Sequence, residues 1–156
     1  MNFVESFDSK SKTILNLCTN KGQWIRDVND DIIKIYGDQP RSQFREWFRQ
    51  NLNYLRLGDV QYVNVGDNTI IANMVVLDGM RIIQNKIPTN YEAFEFALNN
   101  VMKEYDCIGI NKLENERIGL KWIKIELIIK KLLKIHENCN VYISDYFHEA
   151  RTSATK

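Results

Sequence analysis

The sequence predicts a single α/β domain of three layers, α/β/α, around a mixed and mostly parallel central sheet. Short apolar runs alternate with longer segments whose apolar residues recur at helical spacing, which is the pattern of a parallel sheet covered on both faces. With 156 residues the chain is also long enough for a core of its own, because a domain of this size buries about 70% of its unfolded surface.

The first part of the sequence predicts two strands followed by a helix. A weakly alternating run at Asn2–Phe7 favours an edge strand, and the apolar run Thr13–Cys18 favours a buried one. From Gln23 onwards the apolar residues recur every three or four positions, which predicts a helix that ends at Gly37.

The middle of the sequence predicts a second helix and a hairpin. The helix is expected after Pro40, with Ser42 as its N-cap. Two strands, Asp59–Val65 and Thr69–Val76, are separated by Gly66-Asp67-Asn68, which is typical of a tight hairpin turn.

The last part of the sequence predicts a loop over 77–88 and a helix capped by Thr89 or Asn90, with Phe96 on its apolar face. We expect one domain over 1–146 and a flexible tail over 147–156. The remaining expected elements are a strand, a polar loop, an apolar helix and a final strand, at Cys107–Ile110, Asn111–Gly119, Leu120–His136 and Val141–Ile143.

The composition narrows the function classes. Lys and Arg number 21 against 20 Asp and Glu, and the resulting net charge of +1 gives no electrostatic reason to expect nucleic acid or a membrane surface. Cys18, Cys107 and Cys139 lack the spacing of a zinc site and fit reduced, structural thiols in the cytoplasm. We expect neither a metal site nor a cofactor.

Ligands of open α/β sheets bind at the carboxyl ends of the strands, where loops lead into helices. Three loops of this chain are expected at that edge, namely Thr19–Ile25, Val75–Gly79 and Asn111–Gly119. A ligand site, where one exists, is therefore predicted between these loops.

Several segments resemble one family. Leu17–Trp24 is similar to the first ligand loop of macro domains, the fold that binds ADP-ribose, and Tyr91–Phe94 and Trp122 resemble the starts of later helices. Leu57–Val65 with Ile70–Met74 looks like the hairpin of a subgroup similar to ADP-ribose 1″-phosphate phosphatases. The resemblance implies a macro-domain fold with ADP-ribose or a related nucleotide as ligand.

The sequence departs from the family pattern in both phosphate loops. Where the family has Gly-x-Gly, this chain has Ile25-Arg26-Asp27 in the first loop, and Glu114 and Glu116 in the second. Glycine lets backbone amides approach a diphosphate, whereas Ile at positive φ is strained. Each Glu–phosphate pair at about 5 Å costs about 3 kcal/mol at an effective dielectric near 20, against about 8 kcal/mol for micromolar binding.

Candidate ligand residues follow from the loops and the resemblance. Asn20 matches the family Asn that contacts the distal ribose, although Thr19 fits that register equally well and Asn20 also suits a turn before Gly22. Asn73 faces the ligand or bonds a loop backbone. The full set of candidates is Thr19, Asn20, Gly22, Trp24, Asn73 and Asn115, of which Trp24 also has the spacing of a core residue.

Two functions remain open. In the first, the chain is a degenerate macro-like module that has lost ordinary hydrolysis and binds a protein partner or an altered nucleotide. In the second, it is a diverged enzyme in which Asp27, Glu114 or Glu116 activates water to hydrolyse an ADP-ribose derivative. These carboxylates, with Asp30 and Asp31, also suit a divalent metal, but favourable interaction with the helix dipole and solvent is the usual explanation for acidic residues in the first turns of a helix. Arg117 is expected in solvent or paired with Glu114 and Glu116.

Overall fold

A computed structural model describes residues 11–144, so the strand predicted at Asn2–Phe7 and the tail predicted at 147–156 lie outside the described residues. The regular elements, in chain order, are β1 Lys12–Thr19, α1 Arg26–Tyr36, α2 Gln39–Gln50, β2 Val60–Gly66, β3 Thr69–Leu77, α3 Tyr91–Glu104, β4 Cys107–Asn111, α4 Trp122–Ile135 and β5 Asn140–Ser144. A 3-10 turn, Glu116–Ile118, lies between β4 and α4.

The strands form one sheet in the order β2-β3-β1-β4-β5. β1 pairs in parallel with β3 and β4, and β4 pairs in parallel with β5. Only the hairpin of β2 and β3 is antiparallel among the described strands. The prediction of a mixed, mostly parallel sheet is therefore confirmed.

Helices cover both faces of the sheet, which confirms the three layers. On one face, Phe94 of α3 and Ile125 of α4 belong to a core cluster that also contains Leu15 and Met74 of the sheet. On the opposite face, the buried residues of the sheet pack against α1 and α2. Two smaller clusters make up that core, one with Ile14, Ile32, Val63, Ile71 and Cys107, and one with Cys18, Trp24, Phe44, Leu55 and Val75.

The helix ends differ from the sequence predictions in several places. α1 begins at Arg26 rather than Gln23, so Trp24 precedes the helix. α2 has Asp38 at its N-cap, and Ser42 lies inside the helix, where its hydroxyl donates to the carbonyl of Gln39 at 3.2 Å. α4 begins two residues after the expected Leu120, at Trp122.

α3 confirms one of its two proposed caps and corrects one inward residue. The Asn90 side chain accepts a hydrogen bond from the backbone N–H of Ala93 at 2.9 Å, as an N-cap does. Phe96 is 61% exposed, so its assignment to the buried face is wrong. Its ring lies over Gly58 instead, where an added Cβ would come within 2.9 Å of it.

None of the helices formed by residues 11–144 combines the length and the apolar character that crossing a membrane requires.

Candidate ligand site

The carboxyl ends of β1, β3 and β4 lie at one edge of the sheet, because these strands run in parallel. The loops that follow them are 20–25, 78–90 and 112–121. The three loops singled out from the sequence therefore meet at the edge where ligands of open α/β sheets bind.

Asn20 ties the first loop to the second. Its backbone N–H donates to the carbonyl of Leu77 at 2.9 Å. Its side-chain oxygen accepts from the backbone N–H of Gly79 at 3.2 Å, and its amide nitrogen donates to Asp78 at 3.1 Å. Thr19, the alternative in the register, is fully buried and accepts from the backbone N–H of Lys21 at 3.3 Å. Of the two, Asn20 is the one at the surface of the loop.

Gly22 and Trp24 pack the first loop onto α2. Gly22 has a φ of +82°, and a Cβ at this position would lie 2.5 Å from the Phe48 ring, so the turn requires glycine on both counts. Trp24 is 9% exposed, with its ring centroid 6.1 Å from that of Phe44. The structure thus places Trp24 in the core beneath the loop.

Ile25, which stands in the position of a family glycine, does not adopt the conformation expected for that glycine. Its φ of −85° and ψ of 112° are those of ordinary extended backbone, so the predicted strain does not arise. The Ile25 side chain is buried, and its backbone N–H donates to the side-chain oxygen of Asn29 at 2.9 Å. That N–H is directed into the protein.

A polar bridge joins the first loop to the third. Asp27, in the first turn of α1, forms an ion pair with Arg117, which lies 90 positions along the chain. The Asn115 amide nitrogen also donates to the Asp27 carboxylate, at 2.8 Å, while its oxygen accepts from the backbone N–H of Arg117 at 3.1 Å. Asp27, Asn115 and Arg117 are called the Asp27 bridge below.

The Asp27 bridge determines the ionisation of its carboxyl group. Partial burial works to raise the pKa of Asp27, but the hydrogen bonds from Arg117 and Asn115 and the charge of Arg117 outweigh it and lower the pKa below its ordinary value. The sequence predicted that Arg117 lies in solvent or pairs with Glu114 and Glu116. The carboxylate that it contacts is instead that of Asp27. Asp27 is thus held as an anion between the two loops.

Glu114 and Glu116 are exposed beside a surface pocket of about 510 Å³. The pocket has apolar walls from Ile82, Ile87 and Leu120. The chain passes close by at Gly119, which has a φ of +67° and where a Cβ would lie 2.6 Å from Ile87. Both carboxylates remain open to solvent at this edge of the sheet.

Asn73 lies on the face of the sheet covered by α1 and α2. It is fully buried and donates to the backbone carbonyl of Pro40 at 3.2 Å and to the side-chain oxygen of Gln61 at 3.1 Å. Its own oxygen accepts from Asn16 at 2.8 Å. Asn73 therefore bonds to backbone, as the second interpretation expected, but that backbone is the start of α2 and not a loop.

Sequence reasoning missed Asn16 and Asn29, which are also buried. The signal was present, since Asn16 interrupts the apolar run of β1 and Asn29 falls on the apolar spacing of α1. Within residues 11–144, no three side chains of the His, Cys, Asp and Glu types come close enough together to hold a metal ion.

Sequence comparison gives no relatives: no family model matches the chain, and no curated protein matches it. Comparison with solved structures, by contrast, finds proteins with a similar fold. A protein of unknown function from Bacteroides thetaiotaomicron is 25% identical, with a TM-score of 0.77 and 90% of each chain covered. A macrodomain protein from Streptomyces coelicolor is 26% identical, with a TM-score of 0.70, covering 86% of this chain and 88% of that one.

A more distant match is Thermosipho africanus DarTG, whose structure was solved in complex with ADP-ribose. It is 14% identical, with a TM-score of 0.64, over 86% of this chain and 38% of that longer one. Together with the sheet order and the three layers, these matches define the class: the chain has the macro domain fold. The subgroup suggested by the hairpin is not resolved by them.

Proposed function

We propose that this chain is a macro-fold binding module that has lost ordinary hydrolysis of ADP-ribose derivatives and that binds a protein partner or an altered nucleotide. The observation that carries the proposal is the Asp27 bridge. It joins the two loops between which the family resemblance would place a diphosphate. A ligand entering there would have to displace Asp27 from Arg117 and would meet its negative charge.

The backbone of the first loop supports the same proposal. A diphosphate is bound at a helix N-terminus by backbone N–H groups that point towards it. Here the N–H of Ile25, at the start of α1, is used by Asn29 inside the protein. The loop therefore offers one donor fewer to an anion than a glycine-rich loop with outward amides would.

The carboxylates of the site are poorly suited to hydrolysis. A general base must be free to take a proton from the attacking water. The Asp27 carboxylate already accepts hydrogen bonds from Arg117 and Asn115, which stabilise its charged form and weaken it as a base. Glu114 and Glu116 are exposed, which favours a role in repelling phosphate over a role in activating water.

Titration calorimetry with ADP-ribose tests the proposal. We expect the unaltered chain to bind it no tighter than about 1 mM, and the Glu114→Ala, Glu116→Ala double variant to bind at least about tenfold tighter because two repulsive charges are gone. Glu137→Ala, which removes an exposed carboxylate away from this edge, is the matched control and should change nothing.

The same proteins also test the alternative function, hydrolysis of an ADP-ribose derivative. Release of product from ADP-ribose 1″-phosphate or from an ADP-ribosylated protein should be absent in all of them. Tight, stoichiometric binding of ADP-ribose by the unaltered chain, or turnover that disappears with Glu114 and Glu116, would contradict the proposal.

A further inference from the structure

A continuous network of side-chain amides crosses the face of the sheet beneath α1 and α2. The Asn29 amide nitrogen donates to the side-chain oxygen of Asn16 at 2.8 Å, and the Asn16 amide nitrogen donates to the side-chain oxygen of Asn73 at 2.8 Å. Asn73 then donates to Gln61 at 3.1 Å. Asn16, Asn29 and Asn73 are each no more than 2% exposed. These four residues are called the amide network.

Both ends of the amide network are backbone groups of surface segments. At one end, Asn29 accepts from the N–H of Ile25 in the first ligand loop. At the other, Asn73 donates to the carbonyl of Pro40 at 3.2 Å and Gln61 donates to that of Gln43 at 3.0 Å, both in the first turns of α2. The network thus links the ligand loop to the sheet and to the start of the neighbouring helix.

The start of α1 has no side-chain N-cap, and Asn29 bonds to its first residues instead. The N-cap residue, Ile25, has no side-chain oxygen with which to cap the helix. Asn29 holds this turn in another way: its backbone N–H donates to the Ile25 carbonyl at 2.7 Å, as in any helix, while its side chain accepts from the Ile25 N–H. Its amide nitrogen donates in addition to the carbonyl of Leu17 in β1, at 2.7 Å.

Stability alone does not account for three buried amides. Buried polar groups are favourable only when fully paired, and apolar side chains of similar size in the same places give comparable stability. What the amides add is direction, because a paired amide fixes the groups at both of its ends. The direction fixed here is that of the backbone of Ile25, two residues before Asp27.

We propose that Asn29 is a positioning residue of the ligand face, the edge of the sheet formed by the loops 20–25, 78–90 and 112–121. Anchored by Asn16 and Leu17, Asn29 turns the Ile25 N–H inward. It thereby sets the first turn of α1 so that Asp27 contacts Arg117 and Asn115. This inference rests on the proposed function only in treating the first loop as part of the ligand face. It concerns the geometry of that loop, whatever ligand the loop receives.

Hydrogen exchange of the unaltered chain gives the first test. Amides in the first turn of a helix have no partner within the helix and normally exchange fast. The Ile25 amide should instead exchange at least about tenfold more slowly than those of the exposed Arg26 and Asp27, which follow it. Exchange of Ile25 at the rate of those two neighbours would overturn the proposal, and no variant has to fold for this result.

The second test is the titration of the Asp27 carboxyl in Asn29→Ala, followed by NMR. The pKa of Asp27 should rise towards its ordinary value, because the turn that presents it to Arg117 is released. Val28→Ala, which removes a buried apolar side chain next to Asn29, is the matched control. It should lower the melting temperature and leave the pKa of Asp27 where it is.

These tests separate the inference from the proposed function. A purely structural role for Asn29 predicts lower stability with an unchanged pKa of Asp27 in the folded protein, and that result would overturn the positioning role. Hydrolysis or tight binding of ADP-ribose by the unaltered chain would overturn the proposed function and leave the two measurements on Ile25 and Asp27 unaffected.

Discussion

The two faces of the sheet are built differently. Beneath α3 and α4 the buried residues form one continuous apolar cluster. Beneath α1 and α2 the apolar residues fall into two clusters. The amide network lies between them, because Asn16 follows Ile14 and precedes Cys18 on that face of β1, and Asn73 occupies the same level of β3.

The two kinds of core contribute differently to the folded protein. Apolar burial is non-directional and supplies most of the free energy of folding. Paired amides contribute less net free energy but specify which groups meet. Helices of both faces begin in loops of the candidate site, but only on the face with the amides does the network reach such a loop, through the bond from the Ile25 N–H to Asn29. Mutations on the two faces should therefore differ in kind as well as in size.

The largest loss of stability is expected on the apolar face. Phe94→Ala empties a fully buried ring site in α3 and should lower the free energy of unfolding by about 3–5 kcal/mol. Phe96→Ala, two residues further along the same helix at an exposed position, is the control, with a loss below about 1 kcal/mol expected. Urea unfolding followed by fluorescence measures both, and equal losses would contradict a core confined to one side of α3.

A smaller loss is expected in the amide network. Asn73→Ala removes the buried hydrogen bonds that Asn73 makes to the carbonyl of Pro40 and to the amide nitrogen of Asn16, which should cost about 1–3 kcal/mol. The exposed Asn138→Ala should change stability by less than about 0.5 kcal/mol. If Asn73→Ala proved as stable as the unaltered chain, Asn73 would have no part in holding α2.

The smallest effect is expected at the Asp27 bridge, and it depends on pH. Both partners are largely exposed, so Arg117→Ala should cost no more than about 1 kcal/mol. The lowered pKa of Asp27 means that its contribution is complete above the pKa of the unfolded chain and is lost as pH falls through the folded pKa. Unfolding at neutral and at strongly acidic pH should show a difference only at neutral pH. The exposed Arg45→Ala is the control, and a deficit that persisted in acid would argue against the bridge.

The fold could be predicted because its signals are local. The alternation of apolar runs and the Gly66-Asp67-Asn68 turn each depend on a few neighbouring residues, and within residues 11–144 the strands and helices were found where these signals lie. Most errors in the elements fall at helix starts, and Phe96, within α3, is an exception. Trp24 continued the apolar spacing of α1 but packs in front of that helix, because a spacing pattern does not reveal where the backbone turns.

The position of the candidate site in the fold could be predicted from the sequence, but the contacts between its side chains could not. The three loops follow from the strand order, whereas the partner of Arg117 does not, since Glu114 and Glu116 are near it in sequence and Asp27 is near it only in space. Likewise, the register of β1 against β3 sets Asn16 opposite Asn73. No local pattern in either strand encodes that pairing.

All three thiols of the chain are buried in the folded structure. Burial also raises the pKa of two of them, the Cys18 and Cys139 thiols, so that these two form little reactive thiolate at neutral pH. A cysteine introduced at an exposed position of the ligand face would then react with alkylating dyes far ahead of the native ones. The protein can be labelled selectively next to the Asp27 bridge without first removing its own cysteines.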